Sequence, residues 1–170
     1  MNQPASQPTT QVSSTGQETP VVSGFDRSGA SEDVLGELVA LACSTLAAEG
    51  VENGQLDLIL VERSEMAELN ATHMGHEGPT DVLSFPLDQP GHSNSDVPIH
   101  LGDVVLCPAV AVAQAADHCG TIEAELSLLV IHGVLHVLGH DHAEPEESRV
   151  MRERETVHLA RAGFVHPEPA

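Results

Sequence analysis

The sequence contains no lysine, no tryptophan and no tyrosine, and its 6 basic residues are all arginines. Against them stand 26 aspartates and glutamates, which give the chain a formal net charge of −20 at pH 7. A chain this acidic repels nucleic acid at long range, so a broad basic RNA-binding face is excluded. A small site whose local field has the opposite sign is compatible with this charge.

Long apolar segments are also lacking, and no run approaches the roughly 20 apolar residues that a transmembrane helix needs. The N-terminus has no basic stretch followed by an apolar run, as a signal peptide would. The cysteines form no C-x-x-C pair; they are Cys43, Cys107 and Cys119. We therefore expect a cytoplasmic protein, away from membranes, whose cysteines are reduced and buried.

Composition divides the chain into three parts. Residues 1–24 are rich in Gln, Ser, Thr and Pro and poor in large apolar residues, which predicts a disordered tail. The rest is apolar enough for one packed domain, which we assign to residues 25–165, with residues 166–170 as a short C-terminal tail.

Hydrophobic periodicity predicts helices and strands without a regular βαβ repeat, which favours an α+β fold. Ser31 is placed to cap a first helix that ends at Gly50. The other predicted elements are strands at 56–61, 80–85 and 100–106, a loop at 87–98, and helices at 64–71, 108–120, 122–138 and 145–162.

The most informative segment is IHGVLHVLGHDH, at residues 131–142. His132 and His136 are four residues apart, so both imidazoles leave the same face of a helix one turn apart. Gly139 is placed to end this helix in the left-handed conformation and to return His142 toward that face. Three imidazoles suit Zn²⁺ and leave a fourth tetrahedral position for water, as catalytic zinc sites do.

The residues around these histidines have more than one possible role. His140 could be a cleft wall, a substrate contact or a fourth ligand that closes a structural site. Asp141 could orient a ligand imidazole, act as the general base or cap the turn. The H-x₃-H-x₅-H spacing also matches metzincin proteases, whose general base is a glutamate directly after the first histidine. Here that position is Gly133, so a protease of this type lacks its proton acceptor.

Three motifs resemble those of one known family. HGVLHVLGHDH, at 132–142, resembles the H-G-x-L-H-L-x-G-[HY]-D-H signature of the YbeY family of bacterial ribosomal-RNA maturation factors. GPTDVLSFP, at 78–86, is similar to its P-T-[DN]-V-L-S-F-P block, and LGDVVLC, at 101–107, to its L-G-D-I-x-[IL] strand. The blocks follow the family's order, and the resemblance covers roughly residues 31–162.

The resemblance implies a single α+β domain around a mixed sheet, with one Zn²⁺ bound by His132, His136 and His142. It implies an endoribonuclease that acts on single-stranded RNA, matures the 3′ end of small-subunit ribosomal RNA and takes part in ribosome quality control. The implied partner is therefore the ribosome or its small subunit. Two alternatives stay open: a protease-like zinc hydrolase, and a non-catalytic ribosome-associated protein with structural zinc.

The other matched blocks supply further candidates. Thr80, Asp81 and Ser84 could line the cleft or form a turn at a strand edge. Asp103 lies between apolar neighbours, where a carboxylate is costly unless it is paired. It is a candidate partner of a zinc-bound histidine, a candidate general base, or a structural hydrogen-bond acceptor.

Many members of the family carry an arginine a few residues before the P-T-[DN] block, facing the metal cleft. This chain reads HMGH at residues 73–76, without an arginine. A cleft arginine would hold the scissile phosphate. We therefore expect His73, His76 or an arginine between positions 149 and 154 to take that role.

Overall fold

The structure is a computed structural model that describes residues 19–89 and 98–168. Residues 1–18 of the predicted tail, residues 90–97 of the predicted loop and residues 169–170 lie outside this part. The described residues form one α+β domain of strands and helices, which confirms the predicted fold class. Within these two segments, no helix is both long and apolar enough to cross a membrane.

The sheet is mixed and has four strands in the described segments. These are β1 (Val21–Asp26), β2 (Gly54–Leu60), β3 (Val82–Pro86) and β4 (Ile99–Leu106). Their order is β1-β2-β4-β3. β1 and β4 both run parallel to β2, whereas β3 pairs with β4 in the antiparallel sense.

The helices begin at or next to the predicted residues, but the third ends at Ala115, before its predicted end at Gly120. They are α1 (Glu32–Ala48), α2 (Arg63–Met74), α3 (Pro108–Ala115), α4 (Ile122–Val137) and α5 (Pro145–Arg161). Ser31 caps α1, because its Oγ accepts the backbone N–H of Val34 at 3.3 Å. α2 extends past its predicted end at residue 71 and stops at Gly75, which has a φ of 70°.

The prediction that the tail extends to residue 24 is wrong, because residues 21–24 lie in β1. Val22 is buried and pairs with Leu56 of β2. Gly24 approaches α1 so closely that a Cβ atom would stand 2.6 Å from Cγ2 of Val39. A short strand whose inward side chains include a glycine has too weak an alternation to be recognised from sequence.

The helices cover the two faces of the sheet unequally. α1 and α4 pack on one face, where Leu46, Leu58 and Val134 belong to the largest buried cluster. α2 packs on the other face, through Met66 against residues such as Val105. α5 lies against the outer side of α4. α4 is therefore apolar around most of its circumference, and its two histidines are half-buried.

Candidate metal centre

The three predicted zinc ligands come from the end of α4 and the turn after it. His132 and His136 lie one helical turn apart on α4. Gly139 has a φ of 94°, and the next backbone N–H donates to the carbonyl oxygen of Leu135 at 3.0 Å. This is the glycine-dependent helix end that the sequence predicts. It brings His142 back beside the other two histidines.

The imidazole nitrogens converge. Nε2 of His132 and Nε2 of His136 are 3.1 Å apart. One ring nitrogen from each of these residues and from His142 lies within 4.8 Å of the other two. Nitrogens bound to one tetrahedral zinc ion at about 2.0–2.1 Å stand about 3.3 Å apart. The donor set therefore fits zinc, and no fourth side chain within residues 19–89 and 98–168 joins the group.

A carboxylate on α5 orients the first of the predicted ligands. Nδ1 of His132 donates a hydrogen bond to Oε1 of Glu155 at 2.7 Å, which leaves Nε2 of His132 free to face the other imidazoles. Nε2 of His166 donates to the second oxygen of the same carboxylate at 2.8 Å. Burial alone would raise the pKa of Glu155, but the hydrogen bonds from the two histidines leave it below its ordinary value. Glu155 is therefore an anion at neutral pH.

Sequence reasoning missed Glu155 and His166, although Glu155 left a signal. It is buried on the charged helix α5, at a spacing of four residues from both Met151 and Leu159, which are also buried. A carboxylate on the core-facing stripe of a helix requires a partner. That partner could not be named from sequence, because it lies on another helix.

His136 is half-buried, and its ring packs against the rings of His132 and His142. Burial lowers the pKa of His136, and the neighbouring His132 and His142 lower it further. Its imidazole is therefore neutral at physiological pH, which is the state that binds a metal ion.

Two cavities border the imidazoles. The first, of about 450 Å³, is lined by His132, His136 and Met74, the last residue of α2. The second, of about 320 Å³, extends along α5 past Arg152. His132 and His142 border both cavities, so the metal centre can be approached from either one.

His140 and Asp141 border the first cavity beside the ligands. The ring of His140 is turned toward α1, with Nε2 at 3.6 Å from Oε2 of Glu49, so it does not complete the ligand set. Oδ1 of Asp141 accepts the backbone N–H of His142 at 2.7 Å. Of the predicted roles for Asp141, this contact corresponds to capping the turn.

The predicted cleft residues near β3 have mainly structural contacts. Ser84 borders the first cavity, and its Oγ donates to the carbonyl oxygen of Gly133 at 3.0 Å. Asp81 borders the second cavity, where Oδ1 accepts the N–H of Val82 at 2.8 Å and the hydroxyl of Thr80 at 3.2 Å. Its other oxygen accepts from Gln114 at 2.8 Å.

The structure places Asp103 and His73 on the opposite face of the sheet from the three histidines. Asp103, a candidate partner of a zinc-bound histidine, general base or structural acceptor, lies on the α2 face of the sheet and accepts from Nε2 of His100 at 3.1 Å. His73 lies on that same face, packed edge to face with Phe85. His76 is exposed beyond α2. The alternation of β4 turns Val104 toward α4 and Asp103 away from it, a choice of face that the sequence does not specify.

The arginines predicted to replace the missing cleft arginine differ in their surroundings. Arg149 and Arg154 form ion pairs with glutamates. Arg152 borders the second cavity together with His132 and donates from Nη2 to the carbonyl oxygen of Pro167. Arg152 is therefore the arginine of this group that shares a cavity with the metal centre.

Gly133 allows α4 to pack closely on the sheet. A Cβ atom at this position would stand 2.6 Å from Cγ1 of Val104 and 3.3 Å from Oγ of Ser84. Val104 is fully buried, so there is no room for the glutamate that metzincin proteases carry here.

Comparison with known proteins identifies the family. Residues 25–163 match the family described as Endoribonuclease YbeY. The chain belongs to the YbeY family. This confirms the resemblance that the three motifs indicate, and it includes the segment that forms the histidine site.

Individual relatives agree with this assignment. A protein from Salinispora tropica named Endoribonuclease YbeY is 46% identical over 135 residues, which cover 74% of this chain and 85% of the relative. A Legionella pneumophila (strain Corby) protein of the same name is 39% identical, over 81% of this chain and 84% of the relative. The solution structure of TM1509 from Thermotoga maritima has a TM-score of 0.59 at 31% identity, over 82% of this chain and 87% of that one.

Proposed function

We propose that this YbeY family member is a zinc-dependent endoribonuclease that hydrolyses phosphodiester bonds in single-stranded RNA. The observation that carries the proposal is the convergence of His132, His136 and His142 on one point at the edge of two cavities. The relatives' name, Endoribonuclease YbeY, supplies the substrate class. Three neutral ligands leave the full charge of a divalent cation at the site, which favours an anionic substrate in an acidic protein.

Each residue of the site has a separate role in this proposal. His132, His136 and His142 would hold the metal ion, and Glu155 would orient His132 through Nδ1. When bound, zinc supplies Lewis acidity, which activates water and stabilises negative charge on a phosphoryl oxygen. Asp141 borders the first cavity and is the remaining candidate for the general base. Arg152 would contact a phosphate in the second cavity.

The cellular role that fits this activity is maturation of the 3′ end of small-subunit ribosomal RNA in the cytoplasm, together with ribosome quality control. The net charge of −20 opposes binding to extended RNA without a partner. We therefore expect the ribosome or its small subunit to present the RNA strand to the metal centre.

Two observations weigh against the alternatives. The packing of Gly133 against Val104 leaves no room for the protease base. The contact of His140 with Glu49 opposes a closed structural site with His140 as the fourth ligand.

Cleavage of a single-stranded ribosomal-RNA fragment tests the proposal. The samples are the zinc-loaded protein, the same protein after chelation, His136→Ala, and His73→Ala as a matched histidine variant from the other face of the sheet. We expect chelation and His136→Ala to lower the cleavage rate by on the order of 100-fold or more, and His73→Ala to retain it. Equal cleavage by all samples would reveal a contaminating nuclease, and cleavage by none would contradict the proposal.

A further inference from the structure

A second group of metal-ligating side chains lies at the start of α4. It consists of His118 and Cys119, in the turn after α3, and Glu125, in the first turns of α4. One donor atom from each lies within 4.8 Å of the other two. Sγ of Cys119 is 3.6 Å from Nδ1 of His118, and this nitrogen is 2.9 Å from Oε2 of Glu125.

Local structure holds the three side chains together. The turn is closed by Gly120, which has a φ of 83° and donates its N–H to the carbonyl oxygen of Ala115 at 2.7 Å. Thr121 then caps α4 by accepting the N–H of Ala124 at 3.2 Å. The chain therefore passes directly from the histidine and cysteine into the helix that carries the carboxylate.

The carboxylate of Glu125 is built into the core. It is 0% exposed, and Oε1 accepts a hydrogen bond from Nε2 of Gln114 at 2.8 Å. The side chain of His118 is 49% exposed, so a cation from solvent can reach the group. An oriented, buried carboxyl group beside accessible nitrogen and sulfur donors is a suitable arrangement for capturing a cation.

The chemistry of the donors selects the kind of cation, and the separation between sulfur and nitrogen is compatible with it. Nitrogen and sulfur ligands of one tetrahedral zinc ion stand about 3.6 Å apart, given Zn–N and Zn–S bonds of about 2.0–2.1 and 2.3 Å. The observed separation between Cys119 and His118 is 3.6 Å. One thiolate, one imidazole and one carboxylate favour zinc-like ions over Mg²⁺ or Ca²⁺, which prefer oxygen ligands. We propose that His118, Cys119 and Glu125 form a second site for a divalent, zinc-like cation.

This site differs from the first in its ligands, because it includes a cysteine and a glutamate. Without metal, burial and the adjacent Glu125 raise the pKa of the Cys119 thiol to about 12. His118 also borders the second cavity, which His132 and His142 line. A cation held here adds positive charge to the wall of a cavity that leads to the first centre.

Cobalt substitution in the full chain distinguishes the two sites. A thiolate ligand gives Co²⁺ a charge-transfer band in the near ultraviolet, and the site formed by His132, His136 and His142 contains no thiolate. We expect this band in the wild-type protein and in His136→Ala, and its loss to baseline in Cys119→Ser. Cys43→Ser is the matched control, since Cys43 is half-buried on α1 and its replacement should leave the band unchanged.

Zinc stoichiometry after equilibrium dialysis gives a second measurement. We expect two ions per wild-type chain, one in each of His136→Ala, Cys119→Ser and His118→Ala, and none when His136→Ala and Cys119→Ser are combined. One ion per wild-type chain without the thiolate band would overturn the second site. A band that survives Cys119→Ser, or that disappears in His136→Ala, would also overturn it. These measurements do not use RNA cleavage, so they are independent of the nuclease proposal.

Discussion

Glu155 accepts a hydrogen bond from Nδ1 of His132 at 2.7 Å, so a carboxylate on α5 sets the tautomer of a ligand on α4. We predict that Glu155→Gln weakens zinc binding at the first centre by about 10- to 100-fold, because the negative charge that polarises His132 is lost. Competition with a chromophoric chelator, in the Cys119→Ser background, measures this affinity. Glu153→Gln is the control, because Glu153 lies on the exposed side of the same helix, and this variant should bind zinc as tightly as the parent protein does. If Glu155→Gln binds zinc as tightly as Glu153→Gln, the role of Glu155 is refuted.

Gly133 is required by packing. Gly133→Ala should lower the free energy of unfolding by about 1–3 kcal/mol, because its Cβ would overlap Val104 and force α4 away from the sheet. Gly36 is the matched control, since a Cβ at this exposed position of α1 meets nothing within 4 Å. Gly36→Ala should raise the free energy of unfolding by about 0.5–1 kcal/mol. Urea unfolding measures both, and similar shifts in the two variants would contradict the packing argument.

Arg152 should contact RNA, whereas Arg149 should not. Arg152→Ala is expected to raise the KM for single-stranded RNA about tenfold, the effect of losing a charge-assisted contact to a phosphate. It should also flatten the dependence of log affinity on log salt concentration by about 0.7, the value for one phosphate contact on a single strand. Arg149→Ala, which removes a residue paired with Glu146 and Glu153, provides the comparison. Equal salt dependence in both variants would exclude Arg152 from the RNA site.

Met74 occupies the region where many YbeY family members carry an arginine, and it borders the first cavity. If Arg152 supplies the phosphate contact, Met74→Arg in the wild-type background should leave cleavage unchanged. In the Arg152→Ala background, Met74→Arg should restore part of the lost activity, because the new guanidinium group places a positive charge beside the metal centre in the first cavity. Steady-state kinetics of the single and double variants test this, and a large gain from Met74→Arg alone would show that no substitute is in place.

In the metal-free protein, Cys119 should make the free energy of unfolding decrease as the pH rises into the alkaline range. Its thiol has a folded-state pKa of about 12 against an ordinary value of 9.0, so the protonated form is favoured by folding. This contribution is fully present below pH 9 and is lost as pH rises toward 12. Urea unfolding with chelator and reductant at pH 8 and pH 10.5 should show a larger loss of stability in the wild type than in Cys119→Ser. Identical losses would mean that the thiol is not perturbed.

The features that sequence predicted well are local ones. The four-residue spacing of His132 and His136, and Gly139 after them, fix the shared face of the two imidazoles and the helix end through helical geometry alone. Ser31 marks the start of α1 for a similar reason. Such patterns involve residues close in the chain, so no knowledge of tertiary packing is needed to interpret them.

The features that sequence could not predict depend on distant contacts. Glu155 reaches His132 across the interface between α5 and α4, and no spacing rule connects them. Asp103 lies in a family motif, but in the alternation of β4 its side chain faces α2 while Val104 faces α4, and the sequence does not specify which set of side chains faces which helix. β1 could not be predicted from the sequence, because this short segment is recognisable as a strand only through its pairing with β2.

The close approach of α4 to β4 at Gly133 has an evolutionary consequence. Metzincin proteases share the histidine spacing of this chain, but they need a glutamate at the position of Gly133. In this chain Val104 leaves no room for a side chain at that position. A descendant could not acquire that base by one codon change, because the helix and the strand would first have to move apart. The architecture therefore separates two hydrolase chemistries that the metal ligands alone would permit.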